Sequence, residues 1–289
     1  MLFAQENIDV SRLTDFSFAS RKTPEYMCHR LVQCRVCDLV FVPDPPVQSE
    51  LANAYHSAGY DSTEEANDAA ASYIMAIQPV LSKLRQTDSA LEIGTGTAIF
   101  LEHLQGVGFR YLCGVEPSTA AIEAAPPNRR AWIREGIFNG ADFDGESFDL
   151  VCCFMTMEHV SDPRYVAEAV HSLLRPGGAF VTVTHDYRSL VNRLLGKRSP
   201  IIDIEHMQLF SEKSMRELMQ RTGYAEVSSR AFSNRYSVQY WLRLMPLPGI
   251  LKRAATSVTR TLRLGGKKIT IHVGNMIAYG FKPASVNEN

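Results

Sequence analysis

A carboxylate and two glycines, Glu92-Ile93-Gly94-Thr95-Gly96, sit between the apolar runs Ala90-Leu91 and Ile99-Phe100-Leu101. Glycine lets a chain turn tightly and lets a ligand lie against the backbone. A helix starting there offers free N–H groups and the positive end of its dipole. That is the chemistry of a nucleotide-cofactor turn. Glu92 narrows it, because a carboxylate in the turn repels a diphosphate and suits a cation such as an amino group or a sulfonium. Ile99 stands where G-x-G-x-x-G would place a third glycine. Glu116 closes the apolar run Leu112-Cys113-Gly114-Val115, about 20 residues after the glycines, where an acid can accept both hydroxyls of a ribose. His159, His185 and His206 titrate near neutrality and are the candidate bases.

These groups need an alternating α/β framework to bring them together. Phe148 to Phe154 is a near-continuous apolar run, as expected of a parallel strand covered on both faces. Asp162-Pro163 starts a helix, Arg175-Pro176-Gly177-Gly178 ends it, and Ala179 to Thr184 reads as the next strand. Ala131 to Ile133 is a shorter strand. Ahead of the glycine turn, Tyr60 to Ala66 carries a helix start with Asp61 or Ser62 as cap. Apolar residues then recur at helical spacing from Ala70 to Leu84. Ser211 caps a periodic helix to Thr222, followed by strands at Ala225 to Ala231 and Ile271 to Phe281. His159 and His185 follow strands, at the edge where open α/β sheets bind ligands.

The E-x-G-x-G turn, the acid at Glu116, Phe148-Asp149-Leu150-Val151 with Glu158-His159-Val160, and Leu174 to Val181 (L-x-P-G-G pattern) together resemble the class I S-adenosylmethionine (SAM)-dependent methyltransferases of small-molecule type. The resemblance covers roughly 66–231. It implies a Rossmann-like α/β fold: a seven-stranded sheet of order 3-2-1-4-5-7-6, last strand antiparallel, with helices on both faces. It implies SAM as cofactor, held by Glu92, Gly94, Thr95, Gly96 and Glu116, with Ile137, Phe138 and Met155 as further contacts. Ala98 replaces a usual third glycine, and Ile137 replaces a usual acid. Quinone-pathway relatives carry E-x-x-E-H, which can bind a divalent cation; Met155 stands at its first acid, so no metal is expected there. Methyl transfer is an in-line displacement that depends on alignment, and a hydroxyl acceptor benefits from a base within hydrogen-bond reach. O-methylation of a small, saccharide-type or lipid-linked acceptor is the favoured reading. The alternatives are a non-catalytic protein of the same fold and an NAD-dependent oxidoreductase, the latter opposed by Glu92 and Ile99.

Residues 1–60 form an arm before the 61–289 domain. Cys34-Arg35-Val36-Cys37 resembles the second knuckle of a zinc ribbon found in related methyltransferases. Only Cys28 and His29 precede it, whereas tetrahedral zinc needs four ligands. The expectation is a ribbon that has lost its metal, with Cys28, Cys34 and Cys37 as the candidate ligands should zinc bind. Tyr55, Tyr60 and Tyr73 are candidates for a lid. Between the last two strands, 234–268 is an insertion with no acid from Val227 to Ser285, and with Arg243, Lys252, Arg253, Arg260 and Arg263 among apolar residues. Residues 240–268 suit an anionic membrane surface or an anionic lipid-linked substrate, and equally a helical hairpin covering the sheet. The net charge of −1 implies no general affinity for nucleic acid. No apolar run approaches the ~20 residues of a membrane span. No signal-peptide core is visible, and the cysteines form no disulfide framework, so a reducing cytoplasm is expected, with peripheral membrane contact through 240–268.

Overall fold

The computed structural model describes residues 1–12, 25–47, 50, 53, 55, 56, 63–244 and 249–284. Its strands are β1 (Leu2–Ala4), β2 (Leu31–Gln33), β3 (Val40–Phe41), β4 (Ser89–Ile93), β5 (Tyr111–Glu116), β6 (Ile133–Glu135), β7 (Phe148–Phe154), β8 (Leu174–His185), β9 (Gln208–Leu209), β10 (Ala225–Ser237) and β11 (Lys268–Phe281). Its α-helices are α1 (Thr63–Ala76), α2 (Gln78–Leu81), α3 (Ile99–Gly106), α4 (Thr119–Ala124), α5 (Pro127–Arg130), α6 (Pro163–Leu173), α7 (Leu190–Leu195), α8 (Glu212–Arg221), α9 (Val238–Leu244) and α10 (Gly249–Thr261).

Seven strands form one sheet of order β6-β5-β4-β7-β8-β11-β10. Counted along the sheet's own strands this is 3-2-1-4-5-7-6. β11 runs antiparallel to both β8 and β10, and the other pairs are parallel. Every residue of β4 and β7 is buried, which is why both read as unbroken apolar runs. One core packs Leu101, Leu104, Val181 and Trp241 on one face, and another packs Val151, Val170, Met215 and Met276 on the other. Asp149 ties the lower edge by accepting the Asp88 and Ser89 N–H groups, each at 2.9 Å, and Arg175 at 3.0 Å. Asp162 caps α6 through the Arg164 and Tyr165 N–H groups, and Ser211 caps α8 in reciprocal bonds with Ser214.

The structure adjusts several expected boundaries. The helix expected up to Leu84 ends at Ala76 and restarts as α2, because Pro79 in the first turn of α2 has no N–H to continue the ladder. The third strand begins at Ile133, after Trp132 has closed a turn onto Arg129. β10 extends past Ala231 to Ser237, and β11 begins at Lys268, with α9 and α10 between them. Tyr60, Asp61 and Ser62, read as lid and caps, lie outside the described residues.

The amino-terminal strands build a second sheet, β1-β2-β3-β9, whose last strand comes from the far side of the chain. Val40 pairs with Leu209 and Phe41 with Gln208. Asp38 latches this sheet to the main body. Its carboxylate accepts both Arg188 Nε and Nη2, Ser211 Oγ at 3.0 Å and Gln33 Nε2 at 2.8 Å, while Tyr187 donates to its carbonyl at 2.8 Å. Burial opposes the charge, but the hydrogen bonds from Arg188, Tyr187, Ser211 and Gln33 outweigh it and hold the carboxyl at about 2. Asp38→Asn should therefore destabilise the fold at pH 7 by about 1–3 kcal/mol, seen as a lower Tm. A depressed acid contributes stability above its unfolded value of about 4 and loses it as pH falls through its folded value. The melting curves of the two proteins should accordingly converge near pH 2. A gap that stays constant over that range would remove the ion pair as its cause.

Candidate active site

The crossover from β4 to α3 is shaped by two left-handed glycines. Gly94 has φ +75°, and a Cβ there would lie 2.1 Å from Thr156 Oγ1. Gly96 has φ +55°, and no heavy atom lies within 4 Å of where its Cβ would be, so the backbone is bare toward the cavity. Ala98, at the usual third glycine, adopts φ 55° as well, a conformation that costs an alanine about 1–2 kcal/mol. The Gly94 and Thr95 N–H groups both donate to the Val115 carbonyl, at 2.9 and 3.0 Å. The Gly96 N–H donates to Glu116 Oε2 at 2.7 Å, and the Ser118 N–H to Oε1 at 2.9 Å. No side chain caps the start of α3.

Two carboxyls are therefore buried at the ends of neighbouring strands. Thr95 Oγ1 donates to Glu92 Oε2 at 2.5 Å. Burial, partly offset by that hydrogen bond and reinforced by Glu116, pushes the Glu92 carboxyl up to about 8. Burial also raises Glu116, against the Ser118 and Gly96 N–H bonds. A carboxylate has about four lone-pair sites, so Glu116 keeps acceptor capacity beyond those two N–H groups.

Ile137, Phe138 and Met155 complete one end of a cavity of about 830 Å³, and His159, His185 and His206 line the other. All eleven residues singled out in the sequence as cofactor or catalytic candidates lie on its wall, together with Tyr55 and Tyr73. Met155 is held with φ 52°, its N–H on the Val183 carbonyl at 2.7 Å. Tyr73 packs against Phe154 with ring centroids 4.4 Å apart.

Each histidine has a distinct anchor. Glu158 Oε1 accepts the His185 backbone N–H at 2.7 Å and lies 3.2 Å from His185 Nδ1. Burial would raise Glu158, but the hydrogen bond and charge of His185, with His206 and His159, hold it below the usual carboxylate range. His159 Nδ1 lies 2.9 Å from Tyr55 Oη and 3.2 Å from the Glu205 carbonyl. His206 directs Nδ1 at the Ile201 carbonyl, 2.7 Å away. Burial, with repulsion from His159, lowers its pKa and keeps the ring neutral. The His206 ring centroid lies 4.8 Å from that of His159 and 5.6 Å from that of His185. His159, Glu205 and His206 each offer a ligand atom within 4.8 Å of the others'.

Glu158 and Glu205 carried no role in the sequence reading. The available signal was that each acid directly precedes a histidine. The three cysteines do not converge. Cys28 is buried with its Sγ on the Gln5 carbonyl. Cys34 and Cys37 flank one turn, closed by the Asp38 N–H on the Cys34 carbonyl at 3.1 Å. Among the described residues they belong to no group able to hold a metal.

Among curated proteins, the chain is 30% identical over 110 residues to a ubiquinone biosynthesis O-methyltransferase of Serratia proteamaculans, covering 36% of this chain and 43% of that one. It is 26% identical over 114 residues to the Vibrio atlanticus protein of the same name, covering 37% and 48%. The chain thus spans about half the length of the curated relatives it matches. A SAM-dependent methyltransferase structure from Archaeoglobus fulgidus aligns with a TM-score of 0.49 at 13% identity, covering 74% of this chain and 94% of that one. Residues 64–229, more than half of the chain, match the family model described as a methyltransferase domain, and the protein belongs to that family, among the class I SAM-dependent methyltransferases.

Proposed function

We propose that this protein transfers a methyl group from SAM to a hydroxyl of a small acceptor. The observation that carries this is the continuity of one cavity from the Glu92–Gly96 turn to His185, which Glu158 backs from outside the cavity wall. The chain's residues fit the cofactor. Gly96 leaves open backbone, Glu116 presents a carboxylate suited to ribose hydroxyls, and Glu92 is a buried carboxyl that a cation would draw into its charged form. Glu116 and the glycine loop would hold the nucleoside, and Glu92 the cationic end. When bound, SAM supplies an electrophilic methyl group.

His185 is the last residue of β8, two strands from β4 in the sheet order, which is about 10 Å across. It faces the part of the cavity beyond the cofactor turn. Glu158, 3.2 Å from Nδ1, orients the ring, so His185 is the base that takes the acceptor's hydroxyl proton. His206 is kept neutral and buried, and shapes the wall between the other two rings. The curated relatives are O-methyltransferases by name, which supports oxygen as the acceptor atom.

A finer reading concerns the mouth of the cavity. Leu190 and Leu194 of α7 and Leu251 of α10 are exposed, with Leu194 77% exposed, and Arg198, Arg243 and Lys252 line the cavity. These apolar and basic groups suit an anionic lipid-linked acceptor delivered from a membrane surface. Tyr240 and Trp241, read from the sequence as part of that surface, are instead buried, with Trp241 Nε1 donating to the Ile269 carbonyl at 2.9 Å. No helix among the described residues is long and apolar enough to cross a membrane. The six free cysteines suit a reducing cytoplasm.

Calorimetry should show SAM binding and no NAD binding. Glu116→Ala should weaken SAM by about 1–3 kcal/mol, roughly 5- to 160-fold; equal affinity would end the ribose role. For Glu92 the sign is the reverse of Asp38. Its folded value of about 8 lies above the unfolded value, so its contribution to stability is present at low pH and lost as pH rises through 8. Glu92→Gln should raise Tm relative to wild type at pH 8–9, an advantage that shrinks toward about pH 4.5; a pH-independent difference would refute that titration. His185→Gln should lower kcat by about 10²- to 10⁴-fold with SAM affinity unchanged, and full activity would reassign the base.

A further inference from the structure

The sheet face behind the histidines carries two polar side chains where its neighbours are apolar. Burial alternates along β10, with Phe232, Asn234 and Tyr236 inward. On β11, Asn275 stands opposite Phe232 on one side and His185 on the other, and Asn234 pairs with Ile271. Both asparagines are only 4% exposed and both line the cavity. The Oδ1 atom of each has no hydrogen-bond partner among the described residues. A buried amide oxygen left unpaired is unfavourable, and two on one cavity wall call for a ligand that satisfies them.

Their place in the sheet says which ligand. The order β4-β7-β8-β11 sets Asn275 three strands from the cofactor turn, about 14 Å, but only one strand, about 5 Å, from His185. A group held there belongs to the acceptor. Carboxamides are uncharged and both donate and accept. They match a neutral hydroxyl or carboxamide, whereas a carboxylate or phosphate calls for a cation such as arginine. Ile271, Val273, Tyr236 and Trp241 line the same cavity, offering flat apolar contact beside the two amides.

We propose that Asn234 and Asn275 form an acceptor-anchoring subsite for a flat, largely apolar head of the acceptor bearing a neutral group that both donates and accepts hydrogen bonds, any anionic part of the acceptor lying instead against Arg198, Arg243 and Lys252. The subsite rests on the methyl-transfer reading, since it is His185 that would then face the acceptor's reacting oxygen.

The test uses the full chain, with and without S-adenosylhomocysteine, and benzamide as probe, with benzoate and toluene as controls. Benzamide should bind the wild type, and Asn234→Leu and Asn275→Leu should each weaken it at least tenfold. Toluene should bind the variants at least as well as the wild type, and benzoate should bind neither. The unliganded Leu variants should melt no lower than wild type, because each removes an unpaired buried amide. Asn275→Asp is the second variant. It keeps the side chain's shape and should exchange benzamide for the cation benzamidinium, and it carries the test if a Leu variant fails to fold. No benzamide binding by wild type, equal benzamide affinity in the variants, or benzoate bound as tightly as benzamide would each overturn the subsite. Failure of S-adenosylhomocysteine to bind would overturn the cofactor reading instead, because discrimination among the probes is read in either state.

Discussion

The carboxylate of Glu116 is the constraint on which the cofactor end of the site depends. It takes the Gly96 N–H from the first crossover and the Ser118 N–H from the start of the second. The Val115 carbonyl, one residue earlier, takes Gly94 and Thr95. Four backbone donors thus converge on the last two residues of β5, so the glycine loop is shaped by its neighbour strand. The side chain proposed to meet a ribose is also the one that sets the loop. Gly94 is closed in by Thr156 at the end of β7, so three adjacent strands define one bend.

Two buried acids, Glu92 and Glu116, line the cavity and a third, Glu158, lies behind its His185 wall; they ionise differently, for reasons visible in their partners. Glu92 and Glu116 have hydroxyl or amide donors and no facing cation, and burial dominates both. Glu158 is as deeply buried but is surrounded by imidazoles, and their attraction reverses the balance. The two acids at the glycine turn are thus favoured in their neutral form, while the acid beside the imidazoles is favoured in its charged form. That polarity fits a positively charged donor at one end and a proton-accepting ring at the other.

The framework was legible where packing and sequence pattern coincide. β4 and β7 are covered on both faces, so their apolar runs declare them, and the strand order follows from the family motifs those runs carry. The break at Ile77 was signalled only by Pro79, within a pattern that stays helical on either side. Residues beyond Ala231 looked irregular because Asn234 occupies an inward position where a strand normally shows an apolar residue. Trp241 and Tyr240 carried an amphipathic signal that cannot tell a face turned to lipid from one turned to a core. The turn candidates Glu92, Gly94, Thr95, Gly96 and Glu116 stood out because they fall within 25 positions of one another. The pairing of Glu158 with His185, and of Tyr55 with His159, joins elements distant in sequence and leaves no local pattern.

The sheet that β9 shares with the amino-terminal strands ties the arm to the histidine cluster. Immediately before β9, the Met207 N–H donates to the Glu158 carbonyl and the Met207 carbonyl accepts from Val42. Tyr55, also from the arm, reaches His159. The imidazole wall is consequently a joint product of both parts of the chain. Excising the first sixty residues as a dispensable module would remove a ring contact, a strand partner and the Asp38 latch at once, leaving the α/β body with an incomplete acceptor face. Any transplant of this chemistry onto another scaffold has to carry the arm with it.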